Sequence, residues 1–151
     1  MADPHPPPGY RPIDMQDHFT DASGPFYSRV DQGRPLLGIL IAEKHVSARG
    51  VCHGGVLTCM ADLQSIQGAY LAGIRDRLNP TVNLTVDFLA PARLGDWIEM
   101  RVDLLKATGQ FLFTQALLCT SAGVAIARSS GIYKVSPVPH PVPGMVERLF
   151  D

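Results

Sequence analysis

The feature that most constrains the fold is a long apolar segment, residues 54–74, in which Asp62 is the only charged residue. Apolar side chains would cover nearly the whole circumference of a helix built from this segment. Such a helix is surrounded by the rest of the protein and does not lie on its surface. The charged residues 75–77 and the pair Asn79-Pro80 predict where the helix ends.

After this segment the apolar residues recur with a period of two, which is typical of strands with one buried face. Turn signals separate the alternating segments, and the short connections between successive strands require antiparallel pairing. The sequence therefore predicts an α+β fold, an antiparallel sheet wrapped around one long central helix. The predicted strands are 26–30 and 36–46 before the helix, and 81–90, 96–106, 111–119 and 124–135 after it.

The ends of the chain differ in composition from its middle. Residues 1–24 are expected to form a proline-rich N-terminal tail that is partly ordered, and residues 137–151 a second proline-rich tail. Within the second tail, residues 145–150 are expected to form a short helical turn. Residues 25–136 are long enough to form one domain with an ordinary core.

Composition and charge exclude several classes of protein. With 46% apolar and 18% charged residues the chain is not expected to be disordered. A net charge of −1 indicates neither a nucleic-acid partner nor a membrane partner. The beginning of the chain shows no targeting pattern, and the cysteines show no zinc spacing, so we expect a cytoplasmic protein without a metal. Of the three cysteines, Cys52 and Cys59 are expected to be packing residues.

The central helix begins with a His-Gly-Gly turn at His53, Gly54 and Gly55. A helix N-terminus offers unpaired N–H groups and the positive end of the helix dipole, and glycine lets a ligand approach closely. Burying an unpaired carboxylate costs several kcal/mol, so Asp62 must have a compensating role. The same short segment thus provides donors for a developing negative charge and a base or nucleophile.

The spacing of these groups predicts a dimer. Gly54 and Asp62 are eight residues apart, or roughly 12 Å along a helix that rises about 1.5 Å per residue. A single reacting carbonyl group cannot contact both. If they act together, Gly54 must come from one chain and Asp62 from another, with the two helices running past each other around a two-fold axis.

Two motifs resemble those of hotdog-fold thioesterases of the PaaI-like, phenylacetate-pathway type. They are G-V-C-H-G-G at 50–55 followed by Ala61 and Asp62, and the P-A-R-L-G-D turn at 91–96. The resemblance covers roughly residues 35–135. It implies hydrolysis of acyl-CoA thioesters at sites between the subunits of a homodimer, often a dimer of dimers. Coenzyme A would then be part of the substrate, and no cofactor is expected.

The resemblance also implies roles for individual residues. Asp62 would be the general base or nucleophile, and the Gly54 N–H would polarise the thioester carbonyl. His53 would line the same end of the site, and Thr81 would place a hydroxyl near the attacking water. Ser47 occupies a position where several members carry a longer Asn. The substrate-binding candidates are Gly55, Ser65 and Arg93.

Several alternatives remain open from the sequence alone. Asp62 could cap a neighbouring backbone or pair with a buried Arg, and Gly54 with Gly55 could form a tight turn without further function. His53 could fix that turn or contact substrate. The protein could also be a hotdog hydratase or dehydratase, or a non-catalytic dimer that binds acyl-CoA. The acyl group could be aryl or medium-chain, and its CoA phosphates could contact Arg93, Lys106 or Arg128.

Overall fold

A computed structural model of the protein describes residues 4–151, so residues 1–3 of the predicted tail lie outside the described residues. An antiparallel sheet of seven strands curls around a central helical segment. The strands are β1 (Arg11–Pro12), β2 (Phe26–Asp31), β3 (Arg34–Leu40), β4 (Thr81–Phe88), β5 (Trp97–Ala107), β6 (Phe111–Thr120) and β7 (Ala125–Lys134). The helices are α1 (His18–Ser23), α2 (Gly54–Asp62), α3 (Gln64–Leu71) and α4 (Met145–Phe150).

The strand order in the sheet is β1-β2-β3-β5-β6-β7-β4, and every neighbouring pair is antiparallel. The α+β prediction is therefore confirmed. One feature of the order was not predicted: β4 does not pair with β5, the next strand along the chain. It pairs with β7 instead and forms one edge of the sheet. Most of its residues are exposed.

The central helix lies in its predicted place but is interrupted once and ends earlier than predicted. Leu63 separates α2 from α3, and α3 ends at Leu71 and not at Ile74. In an uninterrupted helix the Ile66 N–H would donate to the carbonyl of Asp62. In this structure the Ile66 N–H donates to the Leu63 carbonyl at 3.0 Å. Asp62 is therefore the last residue of a helical segment and does not lie in the middle of a helix.

The hydrophobic core lies between the helical segment and the concave face of the sheet. Met60 of α2 is fully buried, and so are Met100 of β5 and Leu118 of β6. Two buried glutamines connect the helix to the strands: Gln64 donates to the Ser129 hydroxyl at 2.9 Å, and Gln67 donates to the Met100 carbonyl at 3.2 Å. These contacts fix the helix relative to the sheet.

The predicted strand 36–46 is shorter than expected, because β3 ends at Leu40 and residues 43–45 form a 3-10 turn. His45 in this turn is buried, and its Nδ1 accepts a hydrogen bond from the Ala42 N–H at 3.0 Å. Its Nε2 therefore carries the proton and donates to the Gly24 carbonyl at 3.1 Å. The His45 carbonyl in turn accepts from the His53 N–H at 2.8 Å and so positions the start of α2.

Both proline-rich segments contact the sheet. Tyr10 stacks edge-to-face on Trp97 with ring centroids 4.7 Å apart. The expected helical turn near the C-terminus is α4, most of which is buried, and the Phe150 ring lies 5.2 Å from that of Tyr70. The limits proposed for the domain stay a prediction, but residues on both sides of them contribute to the core.

Candidate active site

Asp62, the last residue of α2, lies next to the beginning of β4, and its side chain is partly buried. Thr81, the first residue of β4, donates its hydroxyl hydrogen to Asp62 Oδ1 at 2.8 Å. Among residues 4–151, no Lys, Arg or His forms an ion pair with this carboxylate. The alternative in which Asp62 pairs with a buried Arg is therefore excluded for the described part of the chain.

A second hydroxyl close to Asp62 belongs to Tyr133 of β7. Its phenol oxygen lies 3.3 Å from the Asp62 carbonyl oxygen and 3.4 Å from Oδ1. Tyr133 is fully buried, and burial together with the charge of Asp62 raises the pKa of the phenol well above its usual range. The sequence did not single out Tyr133, because it is an ordinary inward-facing aromatic residue of an alternating strand.

The two oxygens of the Asp62 carboxylate differ in their surroundings. Thr81 and Tyr133 both approach Oδ1. Within residues 4–151, Oδ2 has no hydrogen-bond partner. One oxygen is therefore held by the protein, while the other keeps its lone pairs available.

The N-terminus of α2 lies at the other end of the same helix. His53 is its N-cap, and the His53 Nδ1 accepts a hydrogen bond from the Gly55 N–H at 2.8 Å. The Val56 N–H donates to the His53 carbonyl at 3.0 Å. Within residues 4–151, the Gly54 N–H has no acceptor. Gly54 thus presents a free donor at the positive end of the helix dipole, whereas the N–H of Gly55 is occupied.

The helix cap fixes the tautomer of His53. Because Nδ1 accepts a hydrogen bond, the proton of the neutral imidazole lies on Nε2. The side chain is exposed, so Nε2 is free to donate outward. His53 therefore has a structural role in the turn, and its outer nitrogen remains available to a substrate.

An open pocket of about 580 Å³ adjoins the Gly54 end of the helix. Its walls are mainly apolar, and the side chain of Arg49 adds one positive charge at the wall. The sequence did not predict Arg49 as a site residue. The lining residues are Arg49, Val51, Cys52, Gly54, Leu57, Phe88, Leu89, Ala90, Pro91 and Ala92.

The cysteines near the helix are poor nucleophiles. Burial raises the pKa of the Cys52 thiol to about 11, although Cys52 lines the pocket. Burial is also the main cause that raises the pKa of Cys59. Both residues therefore remain thiols at neutral pH, where the thiolate is the reactive form. These properties fit their predicted role in packing.

The remaining predicted site residues lie in different places. The Ser47 hydroxyl donates to the Val51 carbonyl at 2.9 Å and closes the loop before α2. Ser65 is partly buried in α3, one turn after Asp62. Arg93 is exposed in the 91–96 turn and lines a different pocket. The structure thus brings Thr81 to Asp62 and gathers His53, Gly54 and Gly55 at the other end of α2. Arg93 is not among the residues that line the pocket beside Gly54.

The other basic candidates do not line the pocket beside Gly54. Arg128 forms an ion pair with Asp87 at 2.8 Å, next to a pocket lined by residues of β4 to β7. Lys106 is exposed near the end of β5. In the described part of the chain, no three His, Cys, Asp or Glu side chains are grouped closely enough to bind a metal ion. None of the helices described between residues 4 and 151 is long and apolar enough to cross a membrane.

Comparison with known proteins identifies the family. A sequence model of the thioesterase superfamily matches residues 49–127, which contain the His-Gly-Gly turn, Asp62 and Thr81. The chain is also 35% identical over 130 residues to a candidate esterase of Pseudomonas aeruginosa, covering 84% of this chain and 95% of that protein. The chain belongs to the thioesterase superfamily. As a member of this superfamily it is a thioester hydrolase.

Further relatives of this thioesterase agree with the predicted resemblance. Human acyl-coenzyme A thioesterase 13 is 28% identical over 90 residues, which cover 60% of this chain and 64% of that protein. The Escherichia coli PaaI protein of the phenylacetic acid degradation operon superposes with a TM-score of 0.69 at 19% identity, covering 82% of this chain and 87% of PaaI. A hypothetical thioesterase of Streptococcus pneumoniae, determined with coenzyme A, superposes with a TM-score of 0.68 at 14% identity, covering 79% and 93%. The PaaI-like hotdog fold is therefore confirmed.

Proposed function

We propose that this thioesterase hydrolyses an aryl- or medium-chain acyl-CoA at a site shared by two copies of the chain. Asp62 of one copy acts as the general base or nucleophile, and the Gly54 N–H of the other copy polarises the thioester carbonyl. The observation that carries the proposal is the position of β4. One end of this strand contacts Asp62, and the other end contacts Gly54.

The contacts at the two ends of β4 are well defined. Thr81 at its start donates to Asp62 at 2.8 Å. Phe88 at its end lies so close to Gly54 that a Cβ atom added there would be 3.2 Å from the phenyl ring. If β4 pairs antiparallel with β4 of a second copy around a two-fold axis, the start of each strand lies near the end of the other. This pairing would bring Asp62 of one copy towards Gly54 of its partner.

The exposed surface of β4 supports such a pairing. It is an edge strand with unpaired backbone groups, and Val82 and Phe88 are 57% and 55% exposed. Leu89, just beyond the strand, is 51% exposed. An edge with exposed apolar side chains is a site for aggregation unless something covers it. A second copy would cover this edge and complete the site.

The Gly54 end provides electrostatic stabilisation of the reaction. Attack on a thioester carbonyl places negative charge on the oxygen, and a preorganised backbone N–H lowers the energy of that state. The free Gly54 N–H, at the positive end of the α2 dipole, is such a donor. The absence of a Cβ at Gly54 allows both Phe88 and a substrate to approach this backbone.

The Asp62 end provides the base or nucleophile. The free Oδ2 can take a proton from water as the water attacks the acyl carbon, or it can attack that carbon directly. In both routes the C–S bond breaks and coenzyme A leaves as a thiol, with water supplying its proton and the new carboxylate oxygen. Two hydroxyls at Oδ1 leave Oδ2 for this chemistry.

The pocket beside Gly54 suggests where the acyl group and the nucleotide lie. Leu57, Phe88 and Leu89 provide an apolar wall for an aryl or medium-length alkyl chain. Arg49 at the same pocket is the basic residue placed to contact a CoA phosphate. The similarity to human acyl-coenzyme A thioesterase 13 supports the acyl-CoA class of substrate.

The family of the chain favours hydrolysis over hydration. A hydratase or dehydratase needs a His and an acid that together transfer protons at neighbouring carbons. Within one chain His53 and Asp62 lie at opposite ends of α2, but the proposed shared site would bring them towards each other. The match to the thioesterase superfamily over residues 49–127 is therefore what supports hydrolysis.

The experiment that tests this function compares Asp62→Asn with the wild type on a panel of aryl- and alkanoyl-CoAs, with release of free thiol as the readout. We expect the wild type to cleave at least one of them and Asp62→Asn to reduce kcat by about 100-fold or more, the usual contribution of a positioned base. The control is Asp103→Asn, which removes an exposed carboxylate that pairs with Arg34 at 3.4 Å. Cleavage by Asp62→Asn at the wild-type rate, or a wild type that cleaves no member of the panel, would overturn the proposal.

A further inference from the structure

We infer that Tyr133 is a positioning residue for the reacting carboxylate: with Thr81 it holds Oδ1 of Asp62 so that Oδ2 faces the substrate. The inference rests on the proposed role of Asp62 and assigns part of the site to β7. It explains why a phenol lies buried next to the acid that the reaction needs.

The two hydroxyls that approach Oδ1 come from a cross-strand pair. Thr81 of β4 and Tyr133 of β7 are register partners in the sheet. Directly opposite residues of antiparallel strands have neighbouring side chains, so the ladder between β4 and β7 fixes the relative position of the hydroxyls. Thr81 approaches Asp62 from the exposed edge, whereas Tyr133 approaches it from the interior.

Tyr133 also holds the main chain of Asp62. The interruption at Leu63 leaves the Asp62 carbonyl without the Ile66 N–H that would bond to it in a continuous helix. The Tyr133 hydroxyl lies 3.3 Å from this carbonyl and 3.4 Å from Oδ1 of the same residue. A proton shared between two oxygens of one aspartate restricts the rotation of its side chain relative to its backbone.

The ring of Tyr133 has little freedom to move. It packs with Ala69 of α3 and Leu112 of β6, all fully buried. Gly131 faces the same way two residues earlier, and a Cβ there would lie 2.5 Å from the tyrosine ring. Glycine at position 131 therefore makes the space in which the ring lies, and the phenol oxygen is directed at Asp62.

The chemistry of the phenol suits a fixed donor. Burial and the neighbouring carboxylate raise the pKa of Tyr133, so the hydroxyl keeps its proton at neutral pH. It does not compete with Asp62 as a base. Among residues 4–151 its two acceptors are the carbonyl oxygen and Oδ1 of Asp62.

The test is Tyr133→Phe, which keeps the ring and removes the hydroxyl. We expect kcat to fall by about 10-fold, because a reacting group that is less well positioned loses rate, while KM stays within a factor of about two. The matched control is Tyr10→Phe. Tyr10 likewise donates to a carboxylate, Glu99 Oε2 at 2.6 Å, but on β5, three strands away from β4. The control should leave kcat unchanged.

A purely structural role gives a different pattern. In that case Tyr133→Phe lowers the melting temperature, and kcat per folded molecule equals that of the wild type. Combination with Thr81→Val provides a second readout, because both hydroxyls act on Oδ1. The positioning role predicts that the double variant loses less activity than the product of the two single losses, whereas a loss equal to that product contradicts it.

The outcomes separate this inference from the proposed function. If Asp62→Asn abolishes turnover and Tyr133→Phe has wild-type kcat, the positioning role is wrong and the proposed function stands. If Asp62→Asn retains turnover, both are wrong, whatever Tyr133→Phe does. If Asp62→Asn abolishes turnover and Tyr133→Phe reduces kcat without changing KM, both are supported.

Discussion

At the scale of single residues, the proposed reaction depends on one backbone donor, the Gly54 N–H. The N–H groups of the next two residues are occupied, by the His53 imidazole and by the His53 carbonyl. A donor that belongs to the backbone cannot be removed by an ordinary side-chain change. Proline, however, removes it, and the first position of a helix tolerates proline.

We predict that Gly54→Pro reduces kcat about 100-fold relative to Gly54→Ala, the usual effect of losing one oxyanion donor. Both variants add a Cβ close to Phe88, so the difference between them reports the N–H. His53 has φ −65° and ψ 133°, an extended conformation that suits the residue before a proline. Steady-state kinetics on the best acyl-CoA would measure the ratio, and equal kcat values would show that the Gly54 N–H has no part in the reaction.

Some of these site residues can be identified from the sequence, and others cannot. Asp62 and the His-Gly-Gly turn stand out locally, because a lone charge and two glycines interrupt an apolar segment. Thr81 was predicted as a site residue from the family resemblance. Tyr133 could not be identified as a site residue, because it is 71 residues from Asp62 and the sequence around it has the pattern of an ordinary strand. The contact is created by the curvature of the sheet and by the space at Gly131.

At the scale of secondary-structure elements, the start of α2 depends on the His53 side chain. Its Nδ1 satisfies one of the N–H groups that a helix leaves unpaired at its N-terminus. The buried His45 supports the same turn through its carbonyl. The element that presents the Gly54 N–H is therefore held by two histidines with fixed tautomers.

We expect His53→Ala to lower the free energy of unfolding by about 1 kcal/mol, the typical loss of a helix N-cap. His53→Asn should recover most of this, because its Oδ1 can accept from the same N–H. Urea denaturation of the two variants would measure the difference. If alanine is as stable as the wild type, the cap contributes nothing. A kcat that falls equally in both variants would assign the outer nitrogen a contact with substrate.

The alternating pattern predicted the strands. It did not predict where the central helix is interrupted or which strands pair with each other. The interruption at Leu63 is stabilised by Gln64, which donates to the Ala61 carbonyl and to Ser129, and accepts from Thr114. Two of these partners lie 50 and 65 residues away along the chain, so no local signal marks the interruption. In the same way, nothing in the period of β4 indicates that it pairs with β7.

At the scale of the whole molecule, the described chain contains both groups that the proposed reaction needs, the Asp62 carboxylate and the Gly54 N–H, but holds them apart. Asp62 lies at one end of α2 and Gly54 at the other, and β4 contacts both ends along one exposed edge. The fold of one chain is therefore complete, whereas the proposed site needs two. The proposed dimer rests on the exposed edge of β4, whose place in the sheet was not predicted from the sequence.

The central claim, a site shared between two chains, can be tested most directly by complementation. Asp62→Asn and Gly54→Pro would be co-expressed with different affinity tags, and the heterodimer purified through both tags. One of its two sites then combines the intact Gly54 of one chain with the intact Asp62 of the other, so we predict about half of the wild-type kcat per dimer from two nearly inactive parents. A heterodimer as inactive as its parents would show that each site is built within one chain, and would contradict the account.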